Sequence, residues 1–211
     1  MCGRFAVAKS HEQLTKRFGV VKIDPNYRLS FNISPRQKTP VILNESPDQI
    51  QMVEWGLIPR WAKDDEKYFI NARAETLQEK PTFKSIVRTR RCLVIADSFF
   101  EWQKQGKEKI PHRVYLSDDE LFAFAGIWDT WQDRTTYAII TTEPNALVKT
   151  IHDRMPVILP REYESSWLKD GDVSLLKPFP AEEMQAYVVS TLVNSPANNS
   201  EALLKPLGKE I

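Results

Sequence analysis

"RCLVIADSFFEWQKQGKEKIPHRVYLSDDELFAFAGIWDTWQDRTTYAIITT", residues 91–142, holds four apolar runs: RCLVIA (91–96), RVYL (113–116), LFAFAGIW (121–128) and TYAIITT (136–142). Each is short, rich in β-branched and aromatic residues, and bounded by turn formers, which is the signature of strands. Asp118–Asp119 stands where RVYL would fold back onto LFAFAG as a hairpin. Working outward, VILN (41–44), QIQMVEW (49–55), PVILP (156–160) and YVVSTLV (187–193) read the same way, whereas residues 24–40 read as a loop rich in turn formers. Helical segments are few. SHEQLTKRFG (10–19) carries a capping box from Ser10 to Gln13, an apolar pair Leu14/Phe18 and an exit glycine, Gly19. EPNALVKTI, REYESSWLK and SEALLKPL are shorter candidates. Strands outnumber helices and the two do not alternate as βαβ units. The expectation is an α+β fold: one domain over residues 1–211, with a curved, mostly antiparallel sheet or open barrel and a few short peripheral helices.

The 211 residues are 42% hydrophobic, enough for a substantial core. No apolar run approaches the roughly 18 residues that span a bilayer, and the start of the chain lacks the pattern of a secretory signal. A cytoplasmic protein is expected, with no membrane partner. Two cysteines, Cys2 and Cys92, make no disulfide framework, and three widely spaced histidines offer no metal-ligand spacing, so neither metal nor cofactor is expected. Lys and Arg number 29 against 28 Asp and Glu. Nucleic-acid binding would therefore need a local patch, since no global basic field exists.

The N-terminus, MCGRF, raises the chemical question. Methionine aminopeptidases remove an initiator Met before a small residue, and cysteine qualifies. The product bears an amine and a thiol on adjacent carbons. An α-amine has a pKa of about 7.7–8.0, so near neutral pH part of it is nucleophilic. It forms an imine with an aldehyde, and the neighbouring thiol closes the imine into a five-membered thiazolidine. The competing reading is a thiol that merely follows Met1.

Four other stretches carry candidate chemistry. In DSFFEWQK, Glu101 lies between aromatics at what reads as a strand end, where desolvation raises a carboxyl toward acid/base use; a surface glutamate on an edge strand is the alternative. In KTIHDRMPVIL, His152 precedes a proline-led strand in a loop position suited to catalysis, or is simply structural. In YFINARAET, Asn71 offers donors and an acceptor to orient an amine or carbonyl, and Arg73 offers a bidentate phosphate contact. In FKSIVRTRRC, Arg88 and Arg90 would share one face of a strand as a basic stripe, while Trp55 and Trp61 of EWGLIPRWAK are candidates for stacking on unpaired bases.

Taken together, MCGRF, EWGLIPRWA, INARAET, FFEW and IHDRMPVIL closely resemble the SOS response-associated peptidase (SRAP) family, with FNISPR and the Val193–Asn194…Asn198 stretch agreeing. The resemblance implies a mixed α/β domain that covalently caps abasic sites in single-stranded DNA. Its N-terminal cysteine, freed of Met1, would trap the ring-opened sugar aldehyde as a thiazolidine and shield the lesion. This would be a single-turnover, self-processing activity in the DNA damage response. By motif, Asn71 would orient the amine, and Glu101 would shuttle protons and take part in Met1 removal. His152 would assist sugar-ring opening and reversal. Arg4, Arg73 and Arg154 would hold phosphates, Trp61 would stack near the lesion, and Asn32, Pro35 and Thr141 would line the channel. Ala62 stands where some relatives carry a second tryptophan, which implies a weaker wedge against duplex DNA. A monomer, nucleoid-associated when bound to DNA, is expected. Two other readings fit the same residues: an N-terminal-nucleophile thiol peptidase or amidase using Cys2 with His152 as base, and a reversible single-stranded DNA-binding module.

Overall fold

The computed structural model describes residues 2–207. In chain order its elements are β1 (Phe5–Val7), α1 (His11–Phe18), β2 (Lys22–Ile23), β3 (Ser30–Ile33), β4 (Lys38–Leu43), β5 (Gln49–Trp55), β6 (Asn71–Arg73), α2 (Pro81–Lys84), α3 (Ile86–Thr89), β7 (Arg91–Ala96), β8 (Ser98–Gln105), β9 (Glu108–Leu116), β10 (Phe122–Trp131), β11 (Arg134–Thr142), α4 (Ala146–Lys149), β12 (Met155–Pro156), β13 (Ile158–Leu159), α5 (Glu164–Asp170) and β14 (Met184–Val188). The α+β, mostly antiparallel expectation holds. One sheet runs β14-β9-β8-β1-β3, and a larger one runs β12-β11-β10-β7-β4-β5-β2, with β13 on β10 and β6 on β11. An additional parallel pairing, Thr136 with Glu54 and Tyr137 with Trp55, joins β11 back to β5. It closes β11, β10, β7, β4 and β5 into a ring, which removes the exposed edges that an open sheet would leave.

β7, buried along its whole length, and β10, buried at all but one position, are adjacent strands in the wall of that barrel. Gly126 of β10 pairs with Cys92 of β7 and leaves room for its side chain: a Cβ there would sit 2.6 Å from Cys92 Sγ. The smaller sheet packs its Phe5 and Phe99 against Phe124 of the barrel, at ring separations of 5.8 and 6.0 Å in edge-on geometry. Helix α1 forms as read, with the reciprocal Ser10–Gln13 capping box and a left-handed Gly19 exit at φ 65°.

Four expectations are corrected. RVYL does not hairpin onto LFAFAG: β9 lies between β8 and β14, and β10 lies between β7 and β11. Asp118–Asp119 thus carries the chain from one sheet to the other. The hairpin is instead β8–β9, turning at Gly106. Residues 24–40 are not wholly loop, since β3 forms within them to pair with β1. Arg88 and Arg90 share no strand face. Arg88 lies on α3 and Arg90 ends that helix, because β7 begins only at Arg91. Trp55 is fully buried and donates to Ile70 O, so it is a core residue and takes no part in base stacking.

Candidate functional site

The N-terminal segment is laid against β8 by backbone pairing. Phe5 opposes Phe99, and Phe100 N donates to Arg4 O at 2.9 Å. Continuing that antiparallel register sets Gly3 opposite Glu101 and Cys2 one step on, opposite Trp102, with the Cys2 thiol close enough to feel the Glu101 carboxylate. From the other side, β6 pairs with β11 and presents Asn71, whose Nδ2 donates to Cys2 O at 2.9 Å. The turn after α4 carries His152 and is tied to β8 by Gln103, whose Nε2 donates to Thr150 O at 2.8 Å. The candidate catalytic residues thus meet at the seam between the two sheets. A separate cleft of about 660 Å³ near Lys16, Arg17 and Glu162 contains none of them.

Burial sets the electrostatics of this seam. Glu101 lies within β8, inside the strand rather than at its end, and is 2% exposed; desolvation raises its carboxyl to about 7. The Cys2 thiol is fully buried, and desolvation with the nearby Glu101 carboxylate pushes it well above its ordinary value. His152 is half-buried, and desolvation lowers it. Two contacts on its Nδ1 make opposite demands: the Arg154 backbone N–H at 3.0 Å requires an acceptor, and Asp153 Oδ1 at 2.9 Å a donor. An amide N–H can only donate, whereas the Asp153 side chain is 89% exposed and has water available. The neutral Nε2–H tautomer follows. Asn71 Oδ1 is buried and accepts no hydrogen bond among the described residues, leaving a lone pair within the seam.

The basic and aromatic candidates fall into two groups. Arg4 Nη1 donates to Asn32 Oδ1 at 2.8 Å and to Val193 O at 2.7 Å. Asn32 is itself buried, and its Nδ2 donates to Ser195 O and Asn198 O, so this pair fastens the C-terminal segment beside the N-terminus. Arg73 is exposed at the end of β6, in register with buried Thr141. Arg154 donates to Thr141 O at 2.8 Å and forms a bidentate pair with Glu75. Pro35 is half-buried before Arg36, whose φ of 72° is unusual for a non-glycine residue. Trp61 projects, 55% exposed, with Lys67 Nζ 4.6 Å over its ring. Its loop is braced from below: Trp131 Nε1 donates to Ala62 O at 2.8 Å, and Asp65 bridges Arg36 and Arg134. Arg90 and Arg60 converge on buried Asp129, while Arg88 stays exposed.

Sequence reading missed this bracing, the Glu75 partner of Arg154, and His112, which lies directly opposite Glu101. The Gly106 turn was the one available signal for the last, because it sets the β8–β9 register.

The family model described as "SOS response associated peptidase (SRAP)" matches residues 1–196. The chain belongs to this family. Among SRAP relatives, the abasic site processing protein YoaM of Bacillus subtilis is 44% identical, over 97% of each chain. The abasic site processing protein HMCES of Gallus gallus is 32% identical, covering 86% of this chain and 67% of its own. A crystal structure of a protein from Bacteroides thetaiotaomicron superposes with a TM-score of 0.85 at 32% identity, covering 97% of this SRAP chain and 99% of that one. No helix among the described residues is long and apolar enough to cross a membrane.

Proposed function

We propose that this protein acts on abasic sites in single-stranded DNA, forming a covalent crosslink through Cys2 after removal of Met1, a residue outside those described. The observation that carries the reading is the Asn71–Cys2 hydrogen bond beside a buried Glu101 with its carboxyl raised to about 7. Imine formation needs an amine held in place and an acid able to protonate a leaving hydroxyl near neutral pH. The amine of Cys2 adds to the aldehyde carbon, the carbinolamine loses one water with a proton from Glu101, and the iminium N–H returns a proton to the Glu101 carboxylate to leave the imine. The S–H then adds across the C=N bond to close the thiazolidine. One water leaves in all. The relatives' names, abasic site processing proteins, support the substrate class. Exposed Trp61 and Arg73 supply a stacking surface and a phosphate contact, and His152, neutral with Nε2–H, is placed to assist sugar-ring opening and reversal. Arg4 and Arg154 are engaged at the seam through their Nη atoms, with Nε buried, so they hold phosphates by exchanging partners such as Asn32 and Glu75. A peptidase that relies on a Cys2 thiolate is disfavoured because burial and Glu101 both hold the thiol protonated.

Incubating the protein with an abasic single-stranded oligonucleotide should give an SDS-resistant species whose mass is the sum of the two components less one water. The Cys2→Ala protein should give none. A crosslink of equal yield from Cys2→Ala, or turnover of peptides without DNA, refutes this reading.

A further inference from the structure

His112 takes no part in the chemistry above, yet it is 1% exposed at the middle of β9 and directly opposed to Glu101 of β8. Residues opposed in an antiparallel pair project from the same face, with Cβ atoms about 4.5–5.5 Å apart. That face carries Phe99, Glu101, Gln103, His112 and Val114 toward the barrel and the His152 turn. The reverse face carries Phe100, Tyr115 and Tyr187 into a separate cluster.

The hydrogen bonding of His112 determines its tautomer. Its Nδ1 lies 3.0 Å from Ile110 O, and a carbonyl oxygen can only accept, so Nδ1 carries the proton. Nε2 is then a bare lone pair. It is buried and has no hydrogen-bond partner among the described residues. A buried, unused acceptor is costly unless some state of the protein supplies a donor. The residue across the pair is an acid whose protonated form carries an O–H.

We propose that His112 is a positioning residue for Glu101: the two side chains make no direct hydrogen bond in this state, and Nε2 accepts the carboxyl proton of Glu101 through one water or a small side-chain shift whenever that carboxyl is in its acid form. The inference deepens the crosslinking mechanism and rests on that reading for its functional consequence. A neutral acid with a fixed acceptor behind it is held in one orientation and is favoured over its anion. When Glu101 delivers its proton, the single O–H turns from His112 to the departing hydroxyl and its bond breaks there, leaving the carboxylate. His112 loses a hydrogen bond and remains neutral. Desolvation, which lowers the basicity of His112, keeps it an acceptor throughout. The other titratable groups set against Glu101 are the Cys2 thiol from the N-terminal segment and Asp153 from the turn after α4, with His152 its neighbour in sequence.

The test reads both partners by NMR in the DNA-free, full-length protein. In the wild type, the ¹⁵N shift of His112 Nε2 should be that of an unprotonated nitrogen and should move as Glu101 titrates. Glu101→Gln should abolish that movement. The ¹³C-carboxyl midpoint of Glu101 should fall by about 1 pH unit in His112→Phe, which has no acceptor, and stay near wild type in His112→Gln, whose amide oxygen can accept. The acidic limb of the crosslinking pH profile should follow the same order, whereas a purely structural role would change yield or stability without moving it. A protonated Nε2, an Nε2 shift blind to Glu101, or equal midpoints in His112→Phe and His112→Gln overturns the proposal. The wild-type readouts stand even if His112→Phe fails to fold. A protein with the NMR coupling but no crosslink refutes the crosslinking reading alone; one that crosslinks without the coupling refutes the pairing alone.

Discussion

Replacing Glu101 with Gln should stabilise the protein in alkali while destroying its activity. Burial raises the Glu101 carboxyl from 4.5 to about 7. A carboxyl whose folded pKa lies above its unfolded value binds its proton more tightly in the folded state. That contribution to stability is complete below about 4.5 and is lost as pH rises through about 7. The displacement of about 2.5 units at about 1.4 kcal/mol per unit gives about 3 kcal/mol of lost stability by pH 8. Glutamine is neutral at every pH and escapes that loss. For a chain of this size, about 3 kcal/mol corresponds to roughly 6–12 °C in Tm. Scanning calorimetry of both proteins from pH 4.5 to 8 should show curves that diverge with rising pH, Glu101→Gln standing higher at pH 8. Any packing or hydrogen-bond difference introduced by the amide offsets the curves without changing their relative slope. Parallel curves across that interval would refute the argument that Glu101 is a desolvated acid held ready for proton transfer.

Other substitutions probe the frame around it. Asn32→Ala removes the clasp between Arg4 and the 193–198 segment and should cost about 2–3 kcal/mol in urea unfolding, because buried partners are left unsatisfied; a loss under about 1 kcal/mol would show that the segment is anchored elsewhere. Gly126→Ala places a methyl against Cys92 Sγ and should destabilise by about 1–3 kcal/mol, part of which Cys92→Ala recovers in the double variant. Trp61→Ala, at an exposed loop position, should leave Tm nearly unchanged while weakening single-stranded DNA binding by about 1–3 kcal/mol in fluorescence anisotropy. Unchanged affinity would remove Trp61 from the DNA surface.

Much of this molecule is legible in local sequence because local physics produces it. The Ser10–Gln13 capping box and Gly19 exit involve groups within one helix, and the strand character of RCLVIA, LFAFAGIW and TYAIITT follows from their own side chains. Where partners are distant, sequence reading failed. FKSIVRTRRC reads as a strand with a basic stripe, but Pro81 starts a helical turn and Phe83, Ile86 and Val87 bury one face of the two short helices. Arg90 then faces Asp129, and Arg91 turns inward onto the carbonyls of Trp167, Leu168 and Lys169. Trp55 and Trp61 look alike six residues apart. One lies in a barrel strand and the other on a braced loop, a distinction invisible to composition.

By itself the sequence determined the chemistry available: an aminothiol latent behind Met1, a carboxyl among aromatics, an amide, a histidine, and enough strand-forming segments for an α+β fold. Those are properties of residues and their near neighbours. Tertiary structure alone decided which of them meet. The β11–β5 pairing that closes the barrel, the strand order that sets β8 between β1 and β9, and the register that opposes Glu101 to His112 all depend on contacts between segments far apart in the chain. The raised pKa of Glu101 belongs to that same level, because desolvation is a property of the packed seam and of no single stretch of sequence.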